Sequence, residues 1–194
     1  TVEARAVQNG GGLTLAVMLF GADGTRCYSA KVEMDARAHA PSRPAPSPGA
    51  LTPWRDVIYD GAAMFHGPKF HAIQGLEGES EQGLVATLLG QRELGWLSAG
   101  HVTDTALLDG AVQLGVLWIR RRLGGSSLPT SLGAFLPYRD ATGPVRAVLV
   151  GRAVGRERAV FDVTLLGDDG AAVRELRDLE LHVLPGSTEH VARA

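Results

Sequence analysis

Residues 104–123 read DTALLDGAVQLGVLWIRRRL, the longest helical pattern in the chain, and from position 106 to position 119 every residue is apolar or glycine except Asp109 and Gln113. A helix apolar on all sides is expected to be buried on all sides. Asp109 and Gln113 stand four apart, so they share one face and project a carboxyl and an amide together into dry surroundings. An unpaired carboxylate in such a place is heavily penalised and takes up a proton instead. The pattern therefore marks Asp109 as a candidate neutral acid, with Gln113 one turn on able to hold its carboxyl by hydrogen bond.

Composition bounds the setting. The 194-residue chain is 45% hydrophobic, enough for the core of one domain, or of one domain plus part of another. Its 19 basic and 21 acidic residues give a net charge of -2, which leaves no electrostatic footprint for nucleic acid or an acidic membrane surface. No apolar run is long enough to span a bilayer, because Asp109 and Gln113 interrupt the long helix before it ends in Arg120, Arg121 and Arg122. The single cysteine, Cys27, cannot form an internal disulfide, and no C-x-x-C or His/Cys cluster offers a metal site. These features suit a reducing cytoplasm. The chain opens on TVEARAV, which reads as strand interior and leads us to expect a piece of something longer.

Around the helix the chain divides by pattern. Residues 2–7, 13–20 and 27–34 are β-rich runs separated by glycine-containing turns, a three-strand meander that would be marginal alone. A proline-rich stretch follows at 40–51 and reads as an extended linker. Beyond it, Thr52-Pro53-Trp54 offers a cap and a first-turn proline, predicting a short helix through Tyr59. Pro68 forces a turn after Gly67, and residues 70–76 and 83–89 read as strands. Thr103 or Asp104 caps the long helix, and four further strands are predicted at 128–138, 145–154, 160–166 and 172–184, with a frayed tail after them. Segregated strands around one long helix give an α+β class, and a curved antiparallel sheet wrapped around that helix is the hotdog fold.

Three local patterns carry a resemblance. Phe65-His66-Gly67-Pro68-Lys69-Phe70 resembles a Y-G-P-x-F turn in an F-H-G-P variant, residues 107–113 (LLDGAVQ) resemble an L-L-D-x-x-x-Q helix, and Leu128-Pro129 resembles the L-P that opens the next strand. In this order and spacing they resemble the dehydratase domain of polyketide synthases and polyunsaturated fatty acid synthases, a double hotdog. The resemblance implies that 1–39 are closing strands of an N-terminal hotdog, 40–51 a linker, 52–186 the C-terminal hotdog with the catalytic Asp, and 187–194 a tail. His39-Ala40 is similar to a non-catalytic H-A of that family. Its general base, a histidine in H-x-x-x-G-x-x-x-x-P, has no counterpart among the six histidines.

The implied reaction removes water from a 3-hydroxyacyl thioester and gives the 2-enoyl product, with Asp109 as general acid and Gln113 beside it. Phe65, His66, Gly67, Pro68 and Phe70 would line the substrate tunnel, as would Leu108, Leu128 and Pro129. The substrate would arrive on the phosphopantetheine of an acyl carrier protein, with no other cofactor. The lost hotdog half and other megasynthase domains are the implied partners, and a homodimer is a further one. The chain alone is expected to be inactive. Rival readings are a silent pseudo-dehydratase that binds acyl chains or scaffolds the megasynthase, and a product-template or thioesterase-like hotdog.

Other conspicuous residues read as structural. Asp104 is a cap, and Trp54, Trp96 and Trp118 are core anchors. His71, His101, His182 and His190 belong to surfaces or strand edges, while Arg120–Arg122 complement the negative helix end and only secondarily suggest a dock for an acidic carrier protein.

Overall fold

The structure, a computed structural model, describes residues 1–9, 12–34, 46–61, 64–97 and 103–186. Expectations about His39, His101, His190, the first half of the linker and the tail lie outside these residues. The chain forms two compact units, Thr1–Ala40 and Pro41–Ala194.

The first unit is an antiparallel meander of β1 (Val2–Asn9), β2 (Gly12–Phe20) and β3 (Arg26–Met34) in that order. Its described turn is fixed locally: Asp23 accepts from the Thr25 N–H at 2.9 Å and from the Thr25 hydroxyl at 2.8 Å, and Gly24 takes φ 80 where a side chain would be strained. Strand β3 is exposed along its whole length, including Tyr28, Val32 and Met34.

In the second unit, β4 (Ile73–Ser80) and β5 (Gly83–Leu88) precede the helix α1 (Thr105–Leu123). After it come β6 (Ser127–Pro137), β7 (Val145–Val154), β8 (Arg158–Leu166) and β9 (Ala172–Val183). All pairings are antiparallel in the order β4-β5-β7-β8-β9-β6, and α1 touches all six strands. Asp104 caps the helix by accepting from the Leu107 N–H at 3.1 Å, and Gly124, at φ 72, closes it with its N–H on the Arg120 carbonyl at 3.0 Å.

Close approach of helix to sheet depends on two glycines. A Cβ on Gly115 would lie 2.1 Å from the Phe161 ring, and one on Gly151 would lie 2.4 Å from the Trp118 indole. Trp118 and Phe161 meet edge to face at 6.0 Å between centroids, and both are buried. Leucines 84, 88, 107, 114, 149 and 165 fill the space around them.

Two expectations need correction. No helix forms between Thr52 and Tyr59: Thr52 instead makes a β-bridge with Glu79, its N–H and C=O both engaged at 2.8 and 2.9 Å. A bridge that uses both backbone groups leaves Thr52 unable to start a helix, and residues 52–60 run as an irregular strap. Nor is α1 enclosed on every side. Thr105, Leu108, Asp109 and Val112 are only half-buried, and their i, i+3, i+4, i+7 spacing draws one open stripe along the N-terminal half of the helix. Beyond Val112 the helix is buried through Ile119.

Gly115→Val should push against an immobile Phe161 and cost about 1–3 kcal/mol of stability in urea denaturation, as overpacked cores do. Phe161→Leu in the same chain should recover part of that loss.

Candidate active site

Asp109 and Gln113 meet as their spacing predicts. Gln113, 1% exposed, donates from Nε2 to Asp109 Oδ2 at 2.6 Å and to the Phe70 carbonyl at 2.9 Å. Its Oε1 accepts from the Tyr59 hydroxyl at 2.8 Å, and the Tyr59 oxygen accepts in turn from the Ile73 N–H at 2.7 Å. Directions follow from chemistry. A carbonyl only accepts and a peptide N–H only donates, so Phe70 and Ile73 together fix which end of the amide is nitrogen and where the phenol proton points. Both amide hydrogens and the amide oxygen are therefore committed.

This chain of hydrogen bonds assigns roles to the two carboxyl oxygens of Asp109. Oδ2 is an acceptor, held by Gln113. Oδ1 has no hydrogen-bond partner among the described residues, and Asp109 lies on the open stripe of α1. Oδ1 is thus the oxygen left open to a partner from outside the helix. The expectation of a fully dry Asp109 is corrected to a half-buried one.

Three elements converge to build the network. The strap 52–60 supplies Tyr59, and the 3-10 turn Pro68–Phe70 supplies the Phe70 carbonyl just before β4 supplies Ile73. The strap is tied to the other end of α1: Asp60 pairs with Arg120, while Arg121 bridges Asp56 at 2.7 Å and Glu79 at 3.0 Å and lies 4.6 Å over the Trp54 ring. Arg120 and Arg121 are thus internal ties, which weakens their reading as a dock for an acidic partner.

Burial pushes the Tyr59 phenol up to about 12, with the Asp109 charge adding to the shift and the Ile73 N–H opposing it. Tyr59 stays a proton donor near neutrality. The His71 ring stacks on it at 3.8 Å and 6°, and His71 Nε2 lies 2.9 Å from the His66 carbonyl, so that nitrogen carries the hydrogen. Sequence reasoning missed Tyr59 and placed His71 at a surface or strand edge. Only the spacing of Tyr59 ahead of the turn could have drawn notice, because its partners are 54 and 14 residues away.

The side chains of the other expected site residues take no part in this hydrogen-bond network. Phe65 is 71% exposed and stacks on His66 at 4.8 Å, and Phe70 is 49% exposed with its ring edge to Trp96 at 5.2 Å. Gly67 and Pro68 form the start of the 3-10 turn. Leu108 is half-buried beside Asp109, while Leu128 and Pro129 are exposed near the start of β6. His66 Nδ1 is buried without a partner. Trp118 is a core anchor as expected, whereas Trp54 and Trp96 are half-buried. Among the described residues no group of His, Cys, Asp and Glu could hold a metal ion, and no helix is long and apolar enough to cross a membrane.

Folding holds the Tyr59 proton more tightly than the unfolded chain does. Its contribution to stability is full below the ordinary tyrosine value of 10.0 and falls as pH rises through about 12. Urea denaturation at about pH 9 and about pH 11 should show this loss, and Tyr59→Phe should reduce it.

Comparison with known proteins gives these features a family. The sequence model described as "PS-DH: Polyketide synthase dehydratase N-terminal domain" matches residues 36–189. A polyunsaturated fatty acid synthase polypeptide of Thraustochytrium sp. is 29% identical over 120 residues, which is 58% of this chain and 4% of that protein. The chain therefore spans a small fraction of this relative. Among solved structures, the dehydratase domain from the CurH module of the curacin polyketide synthase matches with a TM-score of 0.70 at 17% identity, over 94% of this chain and 68% of its own. That of RzxB from Pseudomonas fluorescens matches with 0.67 at 16%, over 93% and 67%. A trans-acyltransferase polyketide synthase enoyl-isomerase also matches, with 0.65 at 16%, over 93% and 71%, so the shared fold does not by itself select a reaction. The fold is the hotdog. The match over 36–189 runs through every strand of the six-stranded unit and through the helix bearing Asp109 and Gln113, and the chain belongs to the polyketide synthase dehydratase N-terminal domain family.

Proposed function

We propose that this chain carries the acid half of a dehydratase site, which removes water from a 3-hydroxyacyl thioester delivered on an acyl carrier protein. One observation carries the reading: Gln113 occupies Oδ2 of Asp109 and leaves Oδ1 on an open helix face between apolar Leu108 and Val112. A group meant only to close a core would be enclosed and paired on both oxygens.

In the proposed step a base takes the C2 proton of the thioester, the C2=C3 bond forms, and the C3–O bond breaks as Asp109 Oδ1 gives its proton to the departing hydroxyl. Water leaves, and the Asp109 carboxylate is reprotonated before the next turnover. The base is assigned to a histidine outside this chain, since none here has the H-x-x-x-G-x-x-x-x-P setting. On this reading residues 1–39 complete another hotdog, residues 52–186 form the C-terminal one, and the substrate tunnel takes its lining from Phe65, His66, Gly67, Pro68, Phe70, Leu108, Leu128 and Pro129. The family description names an N-terminal domain, so the assignment to the second half rests on the L-L-D-x-x-x-Q helix and not on that description. Carrier protein, the complementary hotdog and neighbouring synthase domains are the partners, and a homodimer is a further one. The setting is a cytoplasmic polyketide or polyunsaturated fatty acid synthase.

The missing base motif favours a second reading, a silent copy that binds acyl chains or scaffolds the synthase. Turnover separates the two. The full-length protein, given carrier-bound 3-hydroxyacyl substrate, should show loss of water by mass spectrometry. Asp109→Asn, which cannot donate an acidic proton, should lower the rate by about 10²–10⁴-fold. Equal turnover by that variant would remove Asp109 from the mechanism, and no water loss by the unsubstituted protein would favour the silent copy.

A further inference from the structure

We infer that Tyr59 is a positioning residue for the dehydration proposed above, setting through Gln113 which oxygen of Asp109 carries the transferable proton. The inference rests on that reading for its catalytic consequence, though not for its structural content.

A glutamine amide beside a carboxyl can face it in two ways. With nitrogen forward it donates to the carboxyl and leaves the other carboxyl oxygen to carry a proton. With oxygen forward it accepts, and draws a carboxyl proton onto itself and away from any substrate. The second arrangement would disable a general acid while changing almost no packing. Two groups exclude it here. The Phe70 carbonyl requires an N–H at 2.9 Å, and the Tyr59 hydroxyl at 2.8 Å requires an acceptor. Tyr59 has one proton, its oxygen accepts from the Ile73 N–H at 2.7 Å, and Gln113 Oε1 is the acceptor that this proton finds among the described residues. Reversing the amide would set nitrogen against a hydroxyl whose proton already points at it, and oxygen against a carbonyl, in a place where unpaired polar groups are costly.

Tyr59 is itself held. His71 stacks on one face at 3.8 Å, and neighbouring Asp60 pairs with Arg120 and accepts from the Met64 N–H at 3.3 Å. The phenol stays in place while doing no chemistry of its own, since its hydrogen bonds reach Asp109 only through Gln113. Its action should therefore vanish when Gln113 is removed.

The test combines a structural and a kinetic readout. In the ¹⁵N-labelled chain, the Gln113 side-chain amide should give two well-separated, slowly exchanging proton signals. Tyr59→Phe should accelerate their exchange by at least about tenfold, with the remaining spectrum preserved. In the full-length protein, Tyr59→Phe should lower kcat by about tenfold or more with KM held, and should cost nothing further in a Gln113→Leu background. Unchanged amide signals, or equal losses in the two backgrounds, would overturn the inference. If Tyr59→Phe does not fold, 3-fluorotyrosine at position 59 keeps the shape and strengthens the donor. It should shift the Gln113 amide signals, and their constancy would overturn the inference. Absence of water loss by the unsubstituted protein would instead count against the dehydratase reading, and the amide measurement would still decide the role of Tyr59.

Discussion

The buried amide of Gln113 is the constraint on which the site depends. A primary amide that is nearly all out of water must place both hydrogens and its oxygen, and each finds one partner. Those partners come from the strap, the 3-10 turn and the helix itself, so satisfying one side chain fixes three segments relative to one another. It also polarises the result. The hydrogen bonds run from Ile73 to Tyr59 to Gln113 and from Gln113 to Asp109, and the far end of that chain is a carboxyl with one oxygen held and one outward.

The fold makes this arrangement available at one end of the helix only. Beyond Val112 α1 is packed into the sheet, with Trp118 and Phe161 interlocked over Gly151 and Gly115. That end anchors the helix. Nearer the N-terminus, the stripe of Thr105, Leu108, Asp109 and Val112 is left partly open, so the Asp109 carboxyl is held by Gln113 and still reachable. Ion pairs of Arg120 and Arg121 with the strap link the anchored end to the segment that bears Tyr59.

Much of this was legible in the residues. The strand runs have the right length and alternation, the helix announces itself by an apolar stretch with a cap and a closing glycine, and the four-residue spacing of Asp109 and Gln113 fixes their common face without any coordinates. Long-range features were not legible. Thr52-Pro53 has the local signature of a helix start, yet the bridge to Glu79 overrides it, and tertiary pairing of that kind leaves no local trace. Tyr59 was invisible for the same reason: its hydroxyl acts on residues distant in sequence, and nothing nearby distinguishes it from a core tyrosine. The apolar character of α1 likewise suggested complete enclosure, because a surface that meets substrate or another domain is as apolar as one that meets core.

The most direct test of the central claim is a crystal structure of the full-length protein with a non-reactive 3-hydroxyacyl pantetheine amide bound. The substrate 3-hydroxyl should lie about 3 Å from Asp109 Oδ1, with Gln113 Nε2 still on Oδ2 and the acyl chain along Leu108 and Val112. A hydroxyl bound to Gln113 in place of Asp109, or an acyl chain that avoids this helix face, would contradict the account.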